Sequence, residues 1–291
     1  MFHTVIIASM DRPNVLDETL RHLAKQTTPP DQIVVSVTKP GDLPADIGHA
    51  IVVTGPMGST IQRNAGLPAV DPRCDIVSFF DDDIELAPDY CQRMRAVFER
   101  HPDLLGCNGQ AIADGTGNGG IPREQARRMI AELPPLDESV PKIFASSSLY
   151  GCNMNVRRPV LNIEKFDERL SAYAWLEDFD LSSRIAAHGK LASVPSCRLV
   201  HLATTAGRSS GVRMGISQII NPLYIWKKGV GRPLAYVVYN SCFLRIVANL
   251  AGVVLGRNAR HVDRRGRLKG NMIALGYVLR GRIEPEVVLC H

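Results

Sequence analysis

A chain of 291 residues, 45% hydrophobic and 22% charged, has the apolar material for one large globular domain, alone or with a smaller appendage, and its balance excludes intrinsic disorder. The net charge of +5 is unevenly spread, since twelve basic residues lie beyond residue 225; with no base-reading motif beside them, they point to an anionic lipid surface rather than nucleic acid. Seven scattered cysteines without a CxxC pair exclude a disulfide framework and a zinc knuckle, and imply a reducing compartment.

The opening MFHTVIIASM has no basic stretch before its apolar run and soon turns polar, too short for a secretory leader, so a cytosolic start is expected. TVIIA (residues 4–8) is a β-branched run. LDETLRHLAKQ then repeats apolar residues at helical spacing, and DQIVVSVT predicts a second strand. This order opens an α/β sheet wound in the nucleotide-binding manner. AIVVT, a short helix in GSTIQRNAGLPA and a strand at 76–80 follow, and the strand runs into Asp81, Asp82, Asp83 and Glu85. Ligands of open α/β sheets bind outside such carboxyl ends. A helix beginning near Pro88 leads to a long polar stretch, 113–141, expected to wall the cleft around one helix, REQARRMIAEL. SSSLYGCNMNVRRPVL reads as a strand in which Gly151 allows close approach, WLEDFDLSSRIAAHG as a helix with an acidic first turn, and KLASVPSCRLVHL as one or two strands. TTAGRSSGVRMG reads as a glycine-rich loop carrying Arg208 and Arg213.

From about Ile216 the chain turns helical. Residues 233–256 are long enough to span a bilayer, but Arg245, Asn240 and Asn249 oppose it. A narrow polar or small stripe on that apolar helix fits an interfacial helix or one packed in a bundle.

In an extended segment Asp81 and Asp83 point the same way and Asp82 the other. Two hard oxygen ligands at a strand end suit Mn2+ or Mg2+ with positions open for phosphates. Leu86 and Gln92 stand where a calcium-binding EF-hand loop needs glycine and glutamate. An Asp-x-Asp phosphohydrolase with Asp81 as nucleophile is one alternative, although Glu85 replaces its usual threonine or valine. A non-catalytic nucleotide-sugar-binding protein is another.

Taken together, VIIASMDRP, GSTIQRNAGL, FFDDDIELAPDY, GCNMNVRR, WLEDFDLSSRIAAHGK and VPSCRLVH follow the order and spacing of family 2 glycosyltransferases, which the chain resembles over residues 1–205. The later RGRLKGNMIALGYVLRGRIEPE is similar to tails of bacterial polysaccharide-building members. The resemblance implies a GT-A fold: an α/β, Rossmann-like, mostly parallel mixed sheet with helices on both faces, over residues 1–215, followed by a basic helical extension over 216–291. It implies inverting transfer of a sugar from a nucleotide diphosphate sugar to a saccharide or lipid-linked saccharide. Asp83, Asp81 and His201 would hold the metal, Asp82 would lie near the donor ribose, and Arg63 would contact the nucleotide. Asp178 would be the base, with Glu177 beside it and Trp175 as a sugar platform. Gly151, Asn153 and Arg208 fall on the acceptor or lid side.

The chain departs from the family at two places. Ala8, Ser9, Met10 and Asp11 replace the usual Pro-Thr-Tyr-Asn turn, and Ser36 and Thr38 replace an aspartate pair. Ser9, Asp11 and Ser36 are then the donor-side candidates, with the base unassigned. The processive synthases' Gln-x-x-Arg-Trp helix is absent, so a single hexosyl or deoxyhexosyl transfer is expected. Arg157 and Arg158 are read either as acceptor-phosphate contacts or as solvated surface.

Overall fold

His3–Ala8 form strand β1, in which Val5, Ile6 and Ile7 are fully buried and alternate between the two faces of a sheet. The computed structural model describes residues 1–117, 119–136, 141–170, 174–204, 210–256 and 262–291. β2 (Gln32–Val37) and beyond it β3 (Ile51–Thr54) pair parallel on one side of β1, and β4 (Ile76–Asp81) pairs parallel on the other. The sheet then becomes mixed. β5 (Ile84–Leu86), β6 (Leu104–Asp114), β7 (Phe144–Ala145), β8 (Asn153–Arg157) and β9 (Lys190–His201) complete the order β3-β2-β1-β4-β8-β6-β9-β5, with β7 against β9.

Among the described residues, the helices of this part of the chain are α1 (Pro13–Ala24), from Ile61 on α2 (Ser59–Gly66), α3 (Tyr90–Arg100), α4 (Arg123–Ala131) and, from Leu181 on, α5 (Glu177–Ala186). Val5, Ile7, Val35 and Phe80 share one core with Leu16, Leu20 and Leu23 of α1 and Met94, Val97 and Phe98 of α3. Ile6, Val34, Val77 and Phe79 share a second with Leu161 and with Leu181 and Ile185 of α5. The period-two alternation of the strands thus separates two apolar layers, each buried large side chain contributing roughly 1.5–3 kcal/mol.

Residues 1–57, 61–166 and 181–207 make one compact unit that holds all these strands. Residues 58–60, 167–180 and 208–291 make a second. Its helices are α6 (Gly211–Lys227), α7 (Leu234–Val254, with a π-helical stretch at Val237–Phe243) and α8 (Arg264–Leu279). Its core joins Ile216, Ile219, Ile220, Cys242, Ala274, Val287 and Val288. α6 and α8 touch backbone to backbone: a Cβ on Gly270 would lie 2.1 Å from the Val212 carbonyl oxygen, and one on Gly215 2.1 Å from that of Arg267. Three buried amides fill the space beside this crossing. Asn249 donates to Gln218 (3.0 Å) and Asn271 (2.9 Å), and Asn271 donates to the Gly215 carbonyl (2.7 Å).

Three expectations are corrected. Arg213 is not on a loop, because α6 already starts at Gly211, where the Ser210 hydroxyl accepts from the Arg213 N–H. The stretch from residue 113 is not polar loop at its start, since β6 runs on to Asp114. Arg157 is neither a phosphate contact nor solvated; its guanidinium donates to the Phe98, His101 and Leu104 carbonyls and lies over the Phe98 ring.

Buried in β1, His3 places its Nε2 2.6 Å from the Ser78 hydroxyl, and burial lowers its pKa to about 3 from an ordinary 6.5. The folded imidazole stays neutral while the unfolded chain takes up a proton below about pH 6.5, so this contribution is lost as pH falls from there toward 3. Melting temperatures of wild type and His3→Gln measured from pH 7 to 4 should fall less steeply for the variant; equal slopes would contradict the assignment.

Candidate metal and donor site

β4 ends at Asp81, paired in register with Ala8 of β1, and Asp82 and Asp83 turn the chain into β5. The expected divergence is present. Oδ2 of Asp81 and Oδ1 of Asp83 both lie 3.7 Å from Nε2 of His201. Asp82 points away toward the β1–α1 connection, where the Ser9 hydroxyl donates to it (2.6 Å) and the Arg12 guanidinium pairs with it (2.6 Å). Arg12 also approaches Asp83 at 3.4 Å.

His201 ends β9 and is in register with Ile84 of β5 on one side and Asp114 of β6 on the other. Bulges at Gly109/Gln110 and Ala111/Ala113 set the β6–β9 register. Asp114 Oδ1 consequently sits 3.2 Å from His201 Nδ1, and the Tyr150 hydroxyl donates to the other Asp114 oxygen. An imidazole whose Nδ1–H is held by a carboxylate presents Nε2 to whatever lies between Asp81 and Asp83.

The charges are strongly coupled. Burial alone would lower the pKa of His201, but Asp114, Asp83 and Asp81 outweigh it and push it up to about 10. Burial likewise opposes ionisation of Asp83, yet His201 and Arg12 hold it down at about 2. Burial pushes Asp82 up to about 7 against the pull of Arg12. Asp114 stays well below the usual carboxylate range, because His201, Thr116 and Tyr150 overcome its desolvation. Arg63 braces Asp81 from the other side at 2.8 Å, donates to the Gly151 carbonyl (3.2 Å) and lies over the Phe166 ring. Glu85, the fourth acid of the run, faces elsewhere, toward His22 (3.0 Å) and Arg123 (2.9 Å).

Donor atoms of Asp81, Asp83 and His201 all lie within 4.8 Å of one another. Two hard carboxylates with one imidazole fit Mn2+ or Mg2+. Backbone strain collects beside this cluster. Asp11 (φ 55°) precedes Arg12, and Ala203 (φ 49°) precedes Thr204, whose N–H donates to Asp83 at 2.7 Å. Each left-handed non-glycine residue costs on the order of 1–2 kcal/mol, and the surrounding bonds hold it in place.

The remaining expected residues are spread more widely. Ser9 and Ser36 are buried neighbours, their carbonyls bridged by the Gln62 amide. Asp11 is paired with Lys39 at 2.6 Å. Asn153 is fully buried, accepting from the Gly109 N–H (2.7 Å) and the Tyr90 hydroxyl (3.2 Å), which places it inside the sheet. Trp175, Glu177 and Asp178 belong to the second unit. There the Trp175 carbonyl accepts from Asn221 and Arg245 lies over its ring, while the Asp178 carboxylate accepts from the Phe179 N–H. Ala174 (φ 54°) and Leu176 (φ 72°) hold Trp175 between two strained residues. Arg208 lies outside the described residues. Arg12, Asp114 and Tyr150 are contributors that the sequence did not single out; Arg12 and Tyr150 stand in segments read above without a role, and Asp114 depends on strand register.

Residues 4–140 match the sequence model described as Glycosyl transferase family 2. That stretch carries β1 to β6 and the acidic run of the family's pattern, so the family likeness is shown for this part of the chain. Solved structures similar to it include GalNAc-T7 with UDP, GalNAc and Mn2+ (TM-score 0.53, 15% identity, 75% of this chain and 48% of that one). The chain therefore spans about half the length of that neighbour. Two others are S. aureus TarS 1-349 (TM-score 0.52, 15% identity, 97% and 92%) and the mannosyltransferase PcManGT from Pyrobaculum calidifontis with GDP-Man and Mn2+ (TM-score 0.53, 15% identity, 99% and 78%). A search of curated proteins by sequence gave no match. The shared fold is GT-A, as expected from the motifs.

If Asp114 orients His201 toward a metal, Asp114→Ala should weaken Mn2+ binding by about 10–100-fold in calorimetry, without unfolding the chain. Because Mn2+ must displace the His201 proton, wild-type affinity should rise by about tenfold per pH unit from 6 to 8. A pH-independent affinity would show that His201 is not a ligand.

Proposed function

We propose that the chain transfers a single hexosyl or deoxyhexosyl unit from a nucleoside diphosphate sugar to an acceptor hydroxyl, with inversion at the anomeric carbon. The Asp81–Asp83–His201 cluster at the carboxyl end of a parallel strand, within a family 2 fold, is the observation that carries this reading. Mn2+ or Mg2+ held by these three residues would neutralise the donor diphosphate and stabilise the charge it gains on leaving. The complexes of the similar structures with UDP and GDP-Man support a nucleotide donor.

In this reading residues 1–215 carry catalysis and 216–291 are a basic helical tail. Arg63 fixes Asp81 and reaches the nucleotide, and Ser9, Asp11, Ser36 and Asp82 line the donor side. Asp178 takes the acceptor proton as the acceptor oxygen bonds to the anomeric carbon and the bond to the diphosphate breaks. Glu177 supports it, Trp175 offers a ring for sugar stacking, and Gly151 and Arg208 fall on the acceptor or lid side, whereas Asn153, fully buried, holds the sheet beneath the site. The strained backbone on both sides of Trp175 supports a functional role for this segment. The basic tail supports a lipid-linked saccharide as acceptor, at the cytoplasmic face of a membrane where surface polysaccharide is assembled.

A thermal-shift screen of nucleoside diphosphates should find stabilisation by one base class that requires Mn2+ and is lost in Asp83→Ala; stabilisation surviving chelation would contradict the site. With the donor so found, Asp178→Asn should lower kcat by about 10²–10⁴-fold while donor binding persists. Unchanged turnover would remove Asp178 as the base.

A further inference from the structure

Helix α7 is built inside out. Its buried positions include Asn249 and Gly252, and Asn249 is held by the Gln218 and Asn271 amides of α6 and α8. Apart from Arg245, which lies over the Trp175 ring, its exposed positions are apolar or small. Tyr236, Tyr239, Phe243, Val247, Leu250 and Val254 recur at intervals of three and four and are 47%, 57%, 52%, 42%, 48% and 76% exposed. That spacing makes one continuous stripe. A surface helix facing water has the opposite arrangement, and an exposed apolar stripe of this length marks an interaction surface.

Charge identifies the occupant. Between Gly229 and Arg282 the chain has ten Lys or Arg residues and one acid, Asp263. Arg232 lies over the Tyr236 ring at the start of the stripe, and Tyr239 stacks on Phe243; tyrosines of this kind favour the boundary between headgroups and acyl chains. An apolar stripe in such basic surroundings complements an anionic lipid leaflet.

The 21 residues of α7 would reach about 31 Å, enough to cross a hydrocarbon core of about 30 Å. Its inner side is nevertheless fastened to α8, which carries Arg264, Arg265, Arg267 and Lys269. A spanning α7 would draw those charges into lipid, which is costly. We infer that α7 lies in the plane of an anionic bilayer leaflet, with the Tyr236–Val254 stripe in the interface. This deepens the lipid-linked acceptor reading and rests on it only for the acceptor.

Flotation of the full chain with phosphatidylcholine vesicles, with and without phosphatidylglycerol, tests the inference. Wild type should float with the anionic vesicles, bind the neutral ones more weakly and be released by alkaline carbonate. The exposed double variant Phe243→Ser/Leu250→Ser should bind at least about tenfold more weakly. Three results would overturn the inference: no flotation of wild type, equal flotation of the variant, or resistance to carbonate, which would indicate a spanning helix. A stripe-dependent dimer in sedimentation, with no vesicle binding, would overturn it in favour of a second copy as occupant. Mn2+-dependent stabilisation by a nucleoside diphosphate, followed in the same variant, reports the sugar-transfer reading separately, because no residue of the metal cluster is altered.

Discussion

Four carboxylates, Asp81, Asp82, Asp83 and Asp114, come together where the sheet ends, and that arrangement stands only because positive charge reaches each of them. His201 takes three, Arg12 takes Asp82 and approaches Asp83, and Arg63 braces Asp81. Asp82 and Asp83 are buried, and breaking a buried ion pair costs roughly 3–5 kcal/mol, so their contacts with Arg12 and His201 also hold the strand ends. Without a metal, His201 as an imidazolium supplies the compensating charge between Asp81 and Asp83. A divalent cation would replace that proton and leave the imidazole as a neutral ligand.

The sheet makes the arrangement possible through register. Parallel pairing brings Ala8 beside Asp81, so Ser9 and Arg12 in the following connection reach Asp82. In the mixed half of the sheet, bulges in the parallel β6–β9 pairing line up Asp114 with His201, and antiparallel β5 sets Ile84, one residue after Asp83, against the same histidine. Residues distant in the chain thus share one row across neighbouring strands, about 4.8 Å apart. Two strained residues, Asp11 and Ala203, sit where the chain leaves that row.

Legibility in the sequence followed the range of the interactions. The β-branched runs and the separation of Asp82 from Asp81 and Asp83 are local consequences of strand periodicity, and both appear in the structure. His201 was reachable through the family's motif order. Asp114 was not: it closes a strand in a stretch whose glycines and polar residues read as loop, and its partner is 87 positions away. Tyr150 stood in a segment read as strand, but β8 starts only at Asn153, and its partner Asp114 is 36 positions away. Arg213 was misplaced because glycine and serine composition outweighed the capping role of Ser210. In α7 the polar stripe was visible, but whether it faced inward was decided by Gln218 and Asn271 on other helices.

The account stands or falls on a divalent cation at the junction of β4, β5, β6 and β9. A crystal soaked with Mn2+ and measured at the manganese absorption edge tests this directly. An anomalous peak at coordinating distance from Asp81, Asp83 and the Nε2 of His201, with Asp114 still on Nδ1, is the predicted result. A fully soaked crystal with no peak there, and His201 turned away from both carboxylates, would contradict it.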